Sequence, residues 1–284
     1  MSETICLNNG VFMPVFGLGV FQVTDKMQCE KTVLDALKIG YRMIDTAACY
    51  GNEQAVGTAI KKSGIPREEV FISSKVWIQD AGYEKTKASF EKTLSNLGTD
   101  YLDLYLIHMP FGDYHGSWRA MEELYEAGKI RAIGVCNFME DRLVDLILSH
   151  RIIPAVNQVE LHPFCQQKNL LRIMEKYTIK AMAWAPFAEG QNGIFSNKQL
   201  SRIGSQYEMT PAQVILCWLR QNNIIAIPKS IHKERLEENY RSANFLLNRR
   251  DLEAINSMDM KKPLILELQS VDEVYRLHGI KFEQ

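Results

Sequence analysis

The sequence predicts an α/β protein whose eight strand-helix units close into a (β/α)8 TIM barrel, with an N-terminal β-hairpin and an extra C-terminal helix. Three observations carry the prediction. Short apolar runs alternate with helix-like segments along the whole chain, with no break in composition between units. Nearly every run ends in one polar or reactive side chain, and barrels of this kind collect such groups at the C-terminal rim of their strands. The chain has 284 residues, 46% of them hydrophobic, which suits one barrel of ~250 residues with additions. A single domain over residues 1–284 is therefore expected.

The elements follow in order. Residues 4–7 and 11–15 flank Asn8-Asn9-Gly10, and Asn-Gly between short apolar runs signals a hairpin. It is a candidate plug for the bottom of the barrel. The first barrel strand reads as 16–19; Asp25 caps the helix after it, and Gly40 stops that helix. The next units pair strand 42–45 with helix 53–62, strand 70–75 with helix 82–97, and strand 102–108 with helix 117–127. Strands 132–136, 156–160 and 180–184 precede helices 141–148, 168–177 and 196–207. Thr210-Pro211 opens another helix, a good cap followed by proline in the first turn. Strand 224–228 and helix 233–242 complete the eight, and 250–258 is the extra helix. The tail after Lys261-Lys262-Pro263 reads as irregular, lying over one end of the barrel. A doubly wound open sheet needs a glycine fingerprint after its first strand, and Gln22 stands where the third glycine is required after Gly17-Leu18-Gly19.

Composition excludes several functions. Net charge is -1 with both signs mixed, so no basic stripe points to nucleic acid. No run of about 18 apolar residues predicts a membrane span. The six cysteines are scattered without a C-x-x-C pair, which fits a reducing compartment. Met1 to Thr4 carries no basic region followed by an apolar stretch. A cytoplasmic monomer is the expectation.

The chemistry is concentrated in Asp45, Tyr50, Lys75 and His108, which end or follow three successive strands. A tyrosine titrates near 10, too high for easy proton donation at neutral pH, and a nearby ammonium is expected to lower that value. A carboxylate beside the lysine keeps it charged and aimed. A neutral histidine can donate a hydrogen bond to a carbonyl oxygen. The set suits protonation of an oxygen that becomes negative, as in carbonyl reduction.

The motifs around these residues resemble the aldo-keto reductases. Asp45-Thr46-Ala47-Ala48-Cys49-Tyr50-Gly51-Asn52-Glu53 is similar to the D-T-A-x-x-Y-G-N-E signature of that family. The resemblance runs on through Lys75-Val76-Trp77, Asp103 to His108, Gly134-Val135-Cys136-Asn137-Phe138, Asn157-Gln158-Val159-Glu160 and Ile227-Pro228-Lys229-Ser230, to Arg235 and Glu238-Asn239. It implies a barrel that transfers hydride directly from NADPH to a carbonyl, with Tyr50 as general acid. Lys75 would depress the Tyr50 pKa, Asp45 would pair with Lys75, and His108 would orient the carbonyl.

The cofactor set that the resemblance implies is Gly19, Val20, Asp45, Cys136, Asn137, Gln158, Trp184, Ala185, Pro186, Lys229, Ser230, Arg235, Glu238 and Asn239. Asn137 and Gln158 would hold the nicotinamide carboxamide and Trp184 would stack on its ring. Lys229, Ser230 and Arg235 would grip the 2′-phosphate, a charge-assisted cradle that favours NADPH over NADH. Glu238 and Asn239 would face the adenine. Cys136 and Ala185 stand where the family usually has serine. Phe21, Trp77, Phe111 and Phe138 follow strand ends and would wall the mouth around Tyr50 and His108. The short segment between His108 and Ser117 resembles the compact bacterial type, similar to diketogluconate and glyoxal reductases, which implies small carbonyl substrates. His162 reads as a packed, hydrogen-bonded histidine. A metal-dependent hydrolase using Asp45, His108 and His162 lacks clustered ligands, so no metal is expected. A non-catalytic cofactor sensor is disfavoured because all four reaction residues are present.

Overall fold

The Asn-Gly turn folds as its residue types dictate. In the computed structural model, which describes residues 3–282, β1 (Thr4–Cys6) pairs antiparallel with β2 (Phe12–Pro14), and Gly10 takes a left-handed φ of 85°. Met13 of this hairpin is fully buried with Met43, Phe71, Leu104, Ala132 and Ile225. Asn8 and Asn9 donate to the carbonyls of Pro154 and Arg131, which precede barrel strands. The hairpin therefore seals the N-terminal end of the barrel.

Eight parallel strands follow: β3 (Leu18–Gly19), β4 (Met43–Asp45), β5 (Phe71–Val76), β6 (Leu104–Ile107), β7 (Ile133–Cys136), β8 (Val156–Glu160), β9 (Lys180–Trp184) and β10 (Ile225–Ala226). Each pairs with its neighbour in chain order. A bridge between Phe16 and Ala226, with Gly17 N donating to Ala226 O at 2.9 Å, joins the first segment to the last and closes the ring. Closure is tight enough that a Cβ on Gly19 would meet Ile227 O at 2.7 Å. The central strands are buried on both faces, as parallel strands between a packed interior and a helix ring must be.

Helices α1 (Lys26–Ile39), α2 (Glu53–Ser63), α3 (Tyr83–Leu97), α4 (Tyr114–Glu126), α5 (Glu140–Ser149) and α6 (Lys168–Lys176) connect successive strands. Helices α7 (Lys198–Gln206) and α8 (Pro211–Gln221) both lie between β9 and β10, and α9 (Lys233–Arg241) and α10 (Arg249–Asn256) follow. Asp25 caps α1 by accepting from Gln28 N at 2.6 Å, and Thr210 with Gln213 forms a reciprocal capping box on α8. The α4 helix starts earlier than the apolar spacing predicts, because Asp113 caps it through Gly116 N. No helix among the described residues is long and apolar enough to cross a membrane.

The tail corrects one expectation: it is not irregular throughout. Ser270 caps a further helix, α11 (Val271–Gly279), by accepting from Glu273 N. The tail is tied to the C-terminal rim at both ends. Glu160, at the end of β8, accepts from the backbone N–H groups of Leu264, Ile265 and Leu266 at 2.6, 3.2 and 3.2 Å. Trp77 Nε1 donates to Ile280 O at 3.1 Å, and Gln79 exchanges two hydrogen bonds with the backbone of Phe282. His162 is wholly buried; its Nδ1 accepts from Phe164 N, so its Nε2 faces Glu160 as a donor at 3.1 Å.

Candidate active site

Parallel register brings the four reaction candidates together at the rim. β4 ends at Asp45, level with Ser73 of β5, and Lys75 follows two residues on, level with Leu106 of β6. His108 comes immediately after β6, its N–H donating to Val76 O. Tyr50 sits on a single turn, Ala48–Tyr50, that is held from below: Asn52 accepts from Thr46 Oγ1 at 2.7 Å and donates to Val20 O and Val23 O.

Lys75 is fully buried, and its ammonium has three partners. Nζ lies 2.6 Å from Asp45 Oδ2, 2.8 Å from Thr46 O and 3.4 Å from the Tyr50 hydroxyl. Asp45 Oδ1 also accepts from Ser73 Oγ at 2.7 Å and Gln158 Nε2 at 3.0 Å. Burial pulls the Lys75 ammonium down, but Asp45, Tyr50 and Cys136 outweigh it and the net shift is upward. The lysine stays charged. Burial pushes the Tyr50 hydroxyl up, and the pull of Lys75 only partly offsets it, with Asp45 opposing. This corrects the expectation of a lowered Tyr50 pKa: desolvation exceeds the ammonium's effect, and the phenol stays protonated. His108 is held well below the usual histidine value by burial and by the Lys75 charge, so its ring is neutral.

Tyr50 and His108 open onto a cavity of about 550 Å³. Phe21 and Trp77 line it as expected for a mouth wall: the Phe21 ring lies 5.0 Å from Tyr50, and Trp77 meets His108 edge-on at 4.9 Å. Phe138 does not line it. Its ring is fully buried against Tyr114, edge-on at 5.2 Å, because the residue after Asn137 turns back toward the helix ring. Phe111 is also outside the lining; it packs with the tail, 6.0 Å from the His278 ring.

Of the expected cofactor residues, Gly19, Asp45, Asn137, Gln158, Trp184, Ala185, Pro186, Lys229 and Arg235 line the same cavity. Asn137, in a left-handed conformation at φ 63°, accepts from Trp184 Nε1 at 2.8 Å and donates to His108 O at 3.1 Å. Gln158 spends its Nε2 on Asp45 and Met182, and no donor among the described residues takes its carbonyl oxygen. That oxygen fits a carboxamide N–H, and two of the exposed cations on the cavity wall, Lys229 and Arg235, fit a phosphate; the third, Arg276, is paired with Glu273. The remaining expected residues are not gathered here. Val20 is fully buried and holds Asn52 through its carbonyl. Cys136 is fully buried inside the barrel, so its thiol replaces serine away from the cavity. Ser230 caps His232 N, Glu238 accepts from Thr210 Oγ1 at 2.6 Å, and Asn239 is buried in α9.

Sequence reasoning missed two contributions. Ser73 orients Asp45, and the signal was available, since it points to the same side of β5 as Lys75. The tail adds Ile265, Leu266, Arg276, Leu277 and Ile280 to the cavity wall; only the cap and acidic first turn of α11 foreshadow its helix.

Comparison with known proteins identifies the family. The model of the aldo/keto reductase family matches residues 15–260. A glyoxal reductase of Bacillus subtilis (strain 168) is 48% identical over 260 residues, covering 91% of this chain and 94% of that protein. Methylglyoxal reductase DkgA of Yersinia pestis is 40% identical over 267 residues, covering 93% and 95%. Among solved structures, a mutant of Gox0644 in complex with NADPH superposes with a TM-score of 0.89 at 35% identity, covering 99% of this chain and 100% of that one. The chain belongs to the aldo/keto reductase family and is an oxidoreductase.

Proposed function

We propose that this aldo/keto reductase uses NADPH to reduce small aldehydes and ketones, with Tyr50 as the general acid. The observation that carries the reading is the contact chain from Asp45 through Lys75 to the Tyr50 hydroxyl, in the cavity that also holds His108 and the two cations Lys229 and Arg235. When bound, the reduced nicotinamide supplies a hydride to the carbonyl carbon. The protein's residues manage the oxygen. Neutral His108 offers a hydrogen bond that orients the carbonyl, and Tyr50 gives its proton as negative charge develops there. Lys75, held in place by Asp45 and Thr46 O, stabilises the phenolate left behind. Asn137, Gln158 and Trp184 would hold the nicotinamide end, and Lys229 and Arg235 the adenosine 2′-phosphate.

Small dicarbonyls such as glyoxal and methylglyoxal, and keto-sugars, are the favoured substrates. Phe21, Trp77 and Leu277 make an apolar wall, and the relatives named above act on such compounds by name. All six cysteines are free thiols, which supports a reducing cytoplasm, and the even charge supports a single-domain monomer. The test is a steady-state screen of NADPH oxidation against methylglyoxal, diketogluconate, aldoses, nitrobenzaldehyde and a few steroids. Turnover of the dicarbonyls with NADPH is expected; no turnover of any carbonyl would defeat the reading.

A further inference from the structure

One thiol in the cavity has no part in the scheme above. Cys49 precedes Tyr50 on the Ala48–Tyr50 turn, at a position that the D-T-A-x-x-Y-G-N-E pattern leaves open, and lines the cavity. Its Sγ lies 3.5 Å from His108 Nδ1, and no other described group bonds either ring nitrogen of that histidine.

The His108 ring is otherwise fixed. Its N–H and C=O are held by Val76 O and Asn137 Nδ2. Trp77 and Tyr50 pack against the ring at interplanar angles of 82° and 74°. What packing leaves undecided is which nitrogen carries the proton. A neutral imidazole has one N–H. If it sits on Nδ1, Nε2 presents a lone pair and cannot donate to a carbonyl oxygen. If it sits on Nε2, it can.

We propose that Cys49 is a positioning residue whose thiol donates to His108 Nδ1 and so fixes the imidazole proton on Nε2, where a substrate carbonyl can receive it. This rests on the reading of His108 as the group that orients the carbonyl. An imidazole nitrogen lone pair is a good acceptor and thioether- or thiol-type sulfur a poor one, so the contact favours S–H donating to nitrogen over N–H donating to sulfur. The thiol keeps its proton for this role: burial, only partly offset by Lys75, pushes Cys49 up to about 12. The same turn would then present the acid and set the tautomer of its partner, as an orienting carboxylate sets the tautomer of a catalytic histidine elsewhere.

The test reads the tautomer directly. Long-range proton–nitrogen correlation spectra of the NADPH-bound protein, with the His108 signals identified by their loss in His108→Gln, are expected to show the Nε2–H form in the wild type. Cys49→Ala is expected to give mixed tautomers and about a tenfold lower kcat with an unchanged KM for NADPH, whereas Cys49→Ser, which keeps a donor, stays within about threefold. A wild-type Nδ1–H form, or a Cys49→Ala protein that keeps both the Nε2–H form and its kcat, would overturn the proposal. The spectra stand apart from turnover: loss of carbonyl reduction in the wild type would sink the functional reading while the spectra still report which nitrogen of His108 carries the proton beside Cys49.

Discussion

The Tyr50 hydroxyl lies 3.4 Å from Lys75 Nζ, on an ammonium whose other two protons are taken by Asp45 and by Thr46 O. The remaining proton therefore has one direction in which to act. Among the described residues no other phenol bonds Lys75, so Tyr50→Phe is expected to lower kcat for carbonyl reduction by about 10²–10⁴-fold, the range for a general acid. NADPH binding, followed by quenching of tryptophan fluorescence, should be unchanged. Turnover like the wild type in that variant would remove Tyr50 from the acid role.

Asp45 and Lys75 are both buried, with side chains 3% and 0% exposed, and such a pair is costly to break from one side. Lys75→Met leaves a buried carboxylate without its cation, and a loss of about 3–5 kcal/mol is expected. The double variant Asp45→Asn/Lys75→Met removes the stranded charge and should be more stable than Lys75→Met alone, though equally poor in catalysis. Denaturant midpoints with matched slopes measure both. A double variant less stable than the single one would mean that the ion pair does not set the cost.

Stability should also fall on mild acidification, and His108 supplies part of the slope. Burial and the Lys75 charge hold it well below 6.5 in the folded protein, while the unfolded chain takes up a proton near ~6.5. Between the two values the unfolded state binds more protons, so stability rises with pH and is lost as pH drops below about 6.5. His150, also lowered by burial, acts in the same sense. Unfolding midpoints of His108→Gln should therefore depend less on pH than those of the wild type, with the His150 slope retained. Equal slopes for the two proteins would mean that His108 titrates like an exposed histidine.

Arg235 and Lys229 are exposed cations that line the cavity. If they grip a 2′-phosphate, Arg235→Ala should raise KM for NADPH by roughly ten- to a hundredfold, the weight of a charge-assisted hydrogen bond of about 1.5–3 kcal/mol. KM for NADH, which lacks that phosphate, should change little. Equal changes for both cofactors would move Arg235 away from the phosphate.

The parts that could be read in advance share a physical cause. Strands β8 and β9 match their expected bounds, Val156–Glu160 and Lys180–Trp184. Asp45, Tyr50, Lys75 and His108 were legible because strand ends of a parallel barrel converge whatever their spacing in the chain. The errors arise where an effect depends on what surrounds a side chain. Phe138 looks the same in sequence whether it faces the mouth or the helix ring. The direction of the Tyr50 shift is decided by how much water its hydroxyl loses against how close Lys75 comes, and neither is written in the residue types. The tail was expected over one end of the barrel, but its seat on Glu160 escaped, because that seat is made by backbone N–H groups, a contact that any sequence could supply.

That contact yields a last prediction. Glu160 is 3% exposed, and its carboxylate accepts from three consecutive N–H groups, Leu264 to Leu266, besides His162. Glu160→Ala would leave those half-buried donors without their acceptor, at a cost of about 1–3 kcal/mol for each that water does not reach. The segment would be released at one end only, since Trp77 and Gln79 still hold Ile280 and Phe282. Because Ile265, Leu266 and Leu277 form the wall beside Trp77, the expected result is a raised KM for the carbonyl substrate with NADPH affinity kept. Hydrogen exchange should speed up in residues 264–279 and stay slow in β5 and β6. Unchanged exchange in the tail would show that its other contacts suffice, and that Glu160 serves only to partner His162.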